Sequence, residues 1–146
     1  MRRAANRFRK NRSGVAAVEF ALVLPILCAA LLGIVDGWSY VSSSLSMRAG
    51  VKTAANLVLA GASDDSVTQA AALSSWQSKP SDAQVTVSRI YQCGSTVVAQ
   101  ATLCPGPKQN SIYVQIQASA TWTPPFTFGV FSGSLAIGHQ QVVRVR

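Results

Sequence analysis

The sequence predicts an α+β protein in which a long N-terminal transmembrane and spine helix carries a small antiparallel β-sheet head. Three observations support this fold class. Residues 15–35 form an apolar run in which Glu19 is the only charged residue. Proline-free sequence rich in Ala, Leu, Val and Ser continues the helix from 39 to 60. Apolar and polar residues then alternate from 112 to 122, which is typical of a half-buried strand.

The positive charge of the chain is concentrated at its N-terminus. The 146 residues, enough for one small domain, carry a formal net charge of +8. Six of the 13 basic residues lie within the first fourteen positions: Arg2, Arg3, Arg7, Arg9, Lys10 and Arg12. Positions 15–146 hold seven basic and five acidic residues, a charge of only +2. This distribution argues against a nucleic-acid-binding domain and against a highly charged disordered chain.

The apolar run is long enough to cross a membrane. Twenty-one helical residues span roughly 31 Å, about the thickness of the hydrocarbon core. Basic residues precede the run and Asp36 follows it, so the positive-inside rule places the N-terminus in the cytoplasm. We expect a single-pass protein in contact with membrane lipid, with a transmembrane segment at about 15–35. The alternative, a buried core helix, needs a larger core than this short chain can form.

A short motif opens the apolar run. Residues 12–27 read RSGVAAVEFALVLPIL, in which Gly14 is followed by four apolar residues, then Glu19 and Phe20. This pattern resembles the type IV prepilin family, and more closely the TadE-like pseudopilins of tight-adherence (Flp) pilus systems. The resemblance implies a type IV pilin-like fold and cleavage by a prepilin peptidase between Gly14 and Val15. It divides the chain into a cleaved basic leader (1–14), a helix (15–60) and a periplasmic α+β head (61–146).

The resemblance also implies a function, partners and a location. The chain would be a minor pilin or pseudopilin needed to assemble an adhesive pilus. Its partners would be the prepilin peptidase, the major pilin, sister pseudopilins and the inner-membrane assembly platform. It would lie in the bacterial inner membrane with its head in the periplasm, or enter the surface pilus. The alternative is an uncleaved, single-span envelope protein whose head binds a partner through residues 122–131.

The motif residues suit these roles chemically. Gly14 has no Cβ, so its backbone can enter a narrow active site. Cleavage would give Val15 a free α-amino group, and Glu19 follows one helical turn later. A lone carboxylate in a membrane needs a partner, which the chain's own new amine could supply; the resemblance implies instead the N-terminal amine of a neighbouring subunit. The alternative is a carboxylate at the headgroup level with no special role. Pro25 removes one helical hydrogen bond and predicts a helix kink.

The remaining sequence predicts a head of one short helix and three strands. Four apolar residues at helical spacing predict the buried side of the long helix: Met47, Val51, Ala54 and Val58. A second helix over 66–77 is predicted to bury a further set: Val67, Ala70, Leu73 and Trp76. Strands are expected at 85–91, 112–122 and 135–145, the last weakened at 138–140 by a bulge or an edge position. An aromatic loop precedes it: Phe126, Phe128, Val130 and Phe131.

Two cysteines bracket the loop after the first of these strands. Cys93 and Cys104 both lie beyond the membrane segment, in the compartment expected to be oxidising, which favours a disulfide. Two free thiols are the alternative. The chain has a single histidine, His139, and we find no zinc-ligand spacing, glycine-rich phosphate loop or carboxylate pair. We therefore expect no metal, no cofactor and no enzymatic activity.

Overall fold

The protein is described by a computed structural model that covers residues 13–100, 102–106, 109–126, 131 and 133–145. A 47-residue helix, α1 (Ser13–Leu59), is followed by a second helix, α2 (Asp65–Ser75). Four strands complete the chain: β1 (Gln84–Cys93), β2 (Thr96–Val98), β3 (Ser111–Trp122) and β4 (Leu135–Arg144). The predicted fold class is confirmed. The basic residues 2–12, and Phe128 and Val130 of the aromatic loop, lie outside the described residues.

The sheet is antiparallel throughout, with the strand order β2-β1-β3-β4. The predicted alternation along β3 is confirmed, because Val114, Ile116 and Ala118 are fully buried on one face. This face packs against the two helices, and the other face is mostly polar. The β3–β4 register is continuous across residues 138–140, so these residues lie in an edge strand without a bulge. The short strand β2 was not expected from the sequence.

The head packs on the C-terminal half of α1. Met47, Val51, Ala54 and Val58 are all buried, which confirms the predicted apolar stripe. The helix is continuous through Pro25, so the proline does not unwind it. A kink at Pro25 stays a prediction.

The predicted buried side of α2 is partly wrong. Val67 is 57% exposed, and Ala70 is exposed as well, whereas Thr68 and Ala72 are buried. The reason is the close approach of α2 to Gly50 of α1. A Cβ at Gly50 would lie 2.6 Å from the backbone carbonyl oxygen of Ala72, so the close approach of the two helices requires glycine at this position. This contact rotates α2 so that the buried positions follow the series Thr68, Ala72 and Trp76, while Leu73 is half-buried.

Side chains fix the turn between the two helices to the sheet. Asp64 caps α2, because its Oδ1 accepts hydrogen bonds from the backbone N–H groups of Ser66 at 2.8 Å and Val67 at 3.3 Å. The Ser66 hydroxyl and these two N–H groups lower the pKa of Asp64. From β1, Arg89 donates to Asp65 Oδ1 at 2.8 Å and to the carbonyl oxygen of Ser63 at 2.9 Å. The end of α1 that is farthest from the apolar run is therefore tied to the head.

The expected disulfide is present between Cys93 and Cys104, with a Cα–Cα distance of 5.4 Å. It closes the loop that contains β2. Replacing both cysteines with serine should lower the free energy of unfolding by about 3 kcal/mol, because the unfolded chain regains the conformational entropy that the crosslink removes. Chemical denaturation of the purified full chain, followed by tryptophan fluorescence, measures this change. Cys28→Ser, which removes the free cysteine of the described chain, is the control and should leave the midpoint unchanged.

Candidate functional site

The predicted cleavage junction lies at the first described residues of α1. The Gly14–Val15 peptide bond directly follows Ser13, the residue at which the described helix starts. Gly14 is exposed, and a Cβ there would meet no atom within 4 Å. Val15 is 60% exposed. The described chain therefore leaves this peptide bond accessible.

Glu19 and Phe20 follow one turn later, and both are exposed. Four residues separate Val15 from Glu19, a rise of about 6 Å that places both on one side of the helix. Glu19 is exposed, and Phe20 is 61% exposed. Within the part of the chain that the structure describes, Glu19 makes no hydrogen bond or ion pair. Its carboxylate is therefore available to a group outside this chain.

The stretch that contains the motif is uncovered by the rest of the protein. Every residue from 14 to 31 is exposed, although most are apolar. Among the described residues, α1 is the one helix that is long and apolar enough to cross a membrane. Exposure of so much apolar surface is typical of a segment that contacts lipid or other apolar helices.

The apolar run ends at a buried carboxylate. Asp36 is completely buried, and its Oδ1 accepts a hydrogen bond from the backbone N–H of Phe126 at 3.2 Å. Its second oxygen, Oδ2, is buried without a hydrogen-bond partner in the described chain. This contact ties the β3–β4 connection to α1 at the point where the apolar run stops. From the sequence alone, Asp36 is predicted only as the polar boundary of the apolar run. Continuing the buried stripe of Met47 towards the N-terminus leads through Tyr40 to Asp36. This helical spacing would have placed Asp36 on the side of α1 that faces the head.

An aromatic cluster packs against α1 about one turn beyond Asp36. Tyr40 lies edge-on to Trp122 with ring centroids 5.3 Å apart, and Phe131 contacts both rings. Trp122 Nε1 donates a hydrogen bond to Ser39 Oγ at 3.3 Å. Phe126 and Phe131 are half-buried. The described part of the predicted aromatic loop therefore packs against α1, which weakens the argument that it is an open binding surface.

The described residues do not form a metal site: no group of three or more His, Cys, Asp or Glu side chains lies close enough to hold an ion. His139 is half-buried in β4, where it pairs with Ala118 in the β3–β4 register. The candidate functional groups that the sequence predicts lie in the first described turns of α1. These turns offer an accessible peptide bond, a free carboxylate and a large apolar surface.

Comparison with known proteins gives a match to this same region. The family model described as TadE-like protein matches residues 14–56, which begins at Gly14 and covers most of α1. No curated protein and no solved structure matches the chain. The match covers less than a third of the chain and does not include the head. The resemblance to the TadE-like family that the Gly14–Phe20 motif indicates is thus confirmed for the long N-terminal helix.

Proposed function

We propose that this chain is a minor pilin or pseudopilin required to assemble a tight-adherence pilus. In this role it is a structural subunit. Its leader, residues 1–14, is removed by a prepilin peptidase, residues 15–60 form the helix that anchors it in the inner membrane, and residues 61–146 form a periplasmic head. Its partners are the major pilin, sister pseudopilins and the assembly platform of the inner membrane.

The family match to residues 14–56 is the observation that carries this proposal. The match starts at Gly14, the residue after which the motif predicts cleavage. The geometry is compatible with cleavage and with helix packing, since the junction is accessible and residues 14–31 of α1 are all exposed. A TadE-like helix attached to a folded head is the arrangement that a pilus subunit needs to leave the membrane and pack beside others.

Glu19 supplies the specific contact in this proposal. Cleavage creates an α-amino group at Val15, with a reference pKa of about 7.7–8.0, so it is largely protonated near neutral pH. An exposed carboxylate within an apolar stretch is costly unless it meets such a charge. Pairing with the amine of an adjacent subunit neutralises both groups and fixes the relative height of the two helices.

Replacing Glu19 with glutamine should abolish this pairing without changing the shape of the side chain. We expect normal membrane insertion and normal cleavage, but at least a severalfold loss of surface pili in a host strain that lacks the wild-type copy. Counting pili by electron microscopy measures the loss, and immunoblotting confirms equal amounts of mature protein. Glu19→Asp keeps the charge and should retain part of the piliation.

Wild-type piliation by the Glu19→Gln variant would contradict the role of Glu19. Wild-type piliation after deletion of the whole chain would contradict the pilus function itself. The second result would leave the uncleaved, membrane-anchored envelope protein as the better description of the chain.

A further inference from the structure

A groove runs between α1 and the head, just beyond the predicted membrane segment. One wall is α1 from Trp38 to Ala49, and the other is formed by residues within 75–82 and by residues 121–123. The volume of the groove is about 1090 Å³, at the upper end of the range for small-molecule sites. Eleven helical steps separate Trp38 from Ala49, a rise of about 16 Å. The groove is therefore long enough for an extended ligand.

Hydrogen bonds hold the two walls in place. The backbone N–H of Thr121 donates to Asp82 Oδ2 at 2.9 Å, which joins the segment between α2 and β1 to β3. Ser46 Oγ donates to the carbonyl oxygen of Gln77 at 2.7 Å, which joins the same segment to α1. Ser78 has a φ of 51°, a left-handed conformation that serine seldom adopts. The segment is thus held in one sharply turned path, and the groove is preformed.

Hydroxyl groups dominate the surface of the groove. Nine of the sixteen residues that line it are serine or threonine. A hydroxyl group both donates and accepts hydrogen bonds. The indole ring of Trp38, which is 74% exposed, adds a flat apolar surface to the same groove. Four of the lining hydroxyls make no hydrogen bond within the described chain: Ser42, Ser43, Ser81 and Thr123.

The charge of the lining excludes several classes of ligand. Among the described residues that line the groove there is no Lys, Arg or His, and Asp82 contributes one carboxylate. Phosphate groups, whether of lipids or of nucleic acids, are bound by cationic side chains and would be repelled by Asp82. A single carboxylate is too few ligands for a metal ion. A partner helix or an acyl chain needs a mainly apolar surface, which this groove does not offer.

We propose that this groove binds an uncharged, extended oligosaccharide. Sugar hydroxyls donate and accept hydrogen bonds, as do the free hydroxyls of the lining, so the two sets complement each other. The C–H groups on one face of a sugar ring form an apolar surface that stacks on the indole of Trp38. Oδ1 of Asp82, the oxygen not bonded to Thr121, accepts a further hydrogen bond from a sugar hydroxyl.

This binding site goes beyond the proposed pilus function. It requires neither cleavage at Gly14 nor contact with another pilus component. Binding is therefore measured on the purified, uncleaved chain, whereas piliation tests the pilus function separately.

Isothermal titration calorimetry of the full chain in phospholipid nanodiscs tests the proposal. Nanodiscs replace alkyl glycoside detergents, because such detergents carry sugar headgroups that would occupy the groove. The probes are cellotetraose and tetra-N-acetylchitotetraose, two uncharged linear oligosaccharides. We expect saturable binding of at least one probe, and a preference between them shows whether the glycan carries acetamido groups. Tetragalacturonate, an anionic oligosaccharide, should bind severalfold more weakly because Asp82 repels its carboxylates.

Two variants locate the binding in the groove. Ser42→Phe places a ring inside it and should weaken binding severalfold. Val41→Phe adds the same ring to a neighbouring residue that does not line the groove, so its affinity should match that of the wild type. Trp38→Ala removes the stacking surface and should also weaken binding severalfold. An unchanged near-ultraviolet circular dichroism spectrum shows that each variant is folded.

Three results would overturn the oligosaccharide site. They are the absence of saturable binding by both uncharged probes, wild-type affinity in the folded Ser42→Phe or Trp38→Ala variant, and binding of tetragalacturonate as tight as that of the uncharged probes. None of these results bears on piliation, so the pilus function would stand or fall by its own assay.

Discussion

Replacing Gly14 with valine should leave the chain uncleaved in the membrane. A β-branched side chain at the residue before the scissile bond hinders entry of the backbone into a narrow active site and restricts its conformation. We expect loss of most of the mature form and accumulation of a precursor that is longer by the leader. Immunoblotting of membrane fractions measures the ratio of the two forms.

The structure makes this substitution a clean test of processing. A Cβ at Gly14 meets no atom within 4 Å, so the change does not disturb the packing of the described chain. Gly37→Val is the matched control, because Gly37 is also a helical glycine with open space around its Cβ position. Its processing should be normal. Efficient maturation of Gly14→Val would refute the assignment of the cleavage motif.

Replacing Gly50 with valine should destabilise the packing of the head on α1. The first added carbon would lie 2.6 Å from the Ala72 carbonyl oxygen and 3.2 Å from Trp76 Cβ, so the two helices must separate. Overpacking of this kind costs about 1–3 kcal/mol. Each kcal/mol lowers the Tm of a head domain of about 60–100 residues by roughly 4–8 °C. Thermal unfolding of the detergent-solubilised full chain, followed by near-ultraviolet circular dichroism, measures the shift.

Gly37→Val again provides the control, since it makes the same change on the same helix away from the head contact. An unchanged Tm for Gly50→Val would mean that α2 does not pack against α1 at this point. A loss of Tm shared by both variants would instead indicate a general effect of valine on the helix.

Much of the fold follows from local patterns in the sequence. Three patterns repeat over several turns or residues: the 21-residue apolar run, the stripe from Met47 to Val58 and the alternation along β3. Because each pattern repeats, several residues independently indicate the same helix or the same buried face. The cysteine pair was predictable because both residues lie beyond the membrane segment and bracket a short loop. These features depend on neighbours in the sequence, and the structure agrees with them.

The features that the sequence did not reveal depend on distant contacts. The rotation of α2 is set by Gly50, which lies 22 residues before Ala72, and no pattern within α2 itself shows this. The burial of Asp36 depends on the backbone N–H of Phe126, 90 residues away.

The first residue of the mature protein shows whether the leader is removed at Gly14. Protein extracted from the membranes of its native host should be analysed by N-terminal sequencing and by intact mass. We expect a chain that starts at Val15 and lacks the whole basic leader. A protein that keeps Met1 or Arg2 would contradict it, because no free amine would then exist at Val15 to pair with Glu19 of a neighbouring subunit.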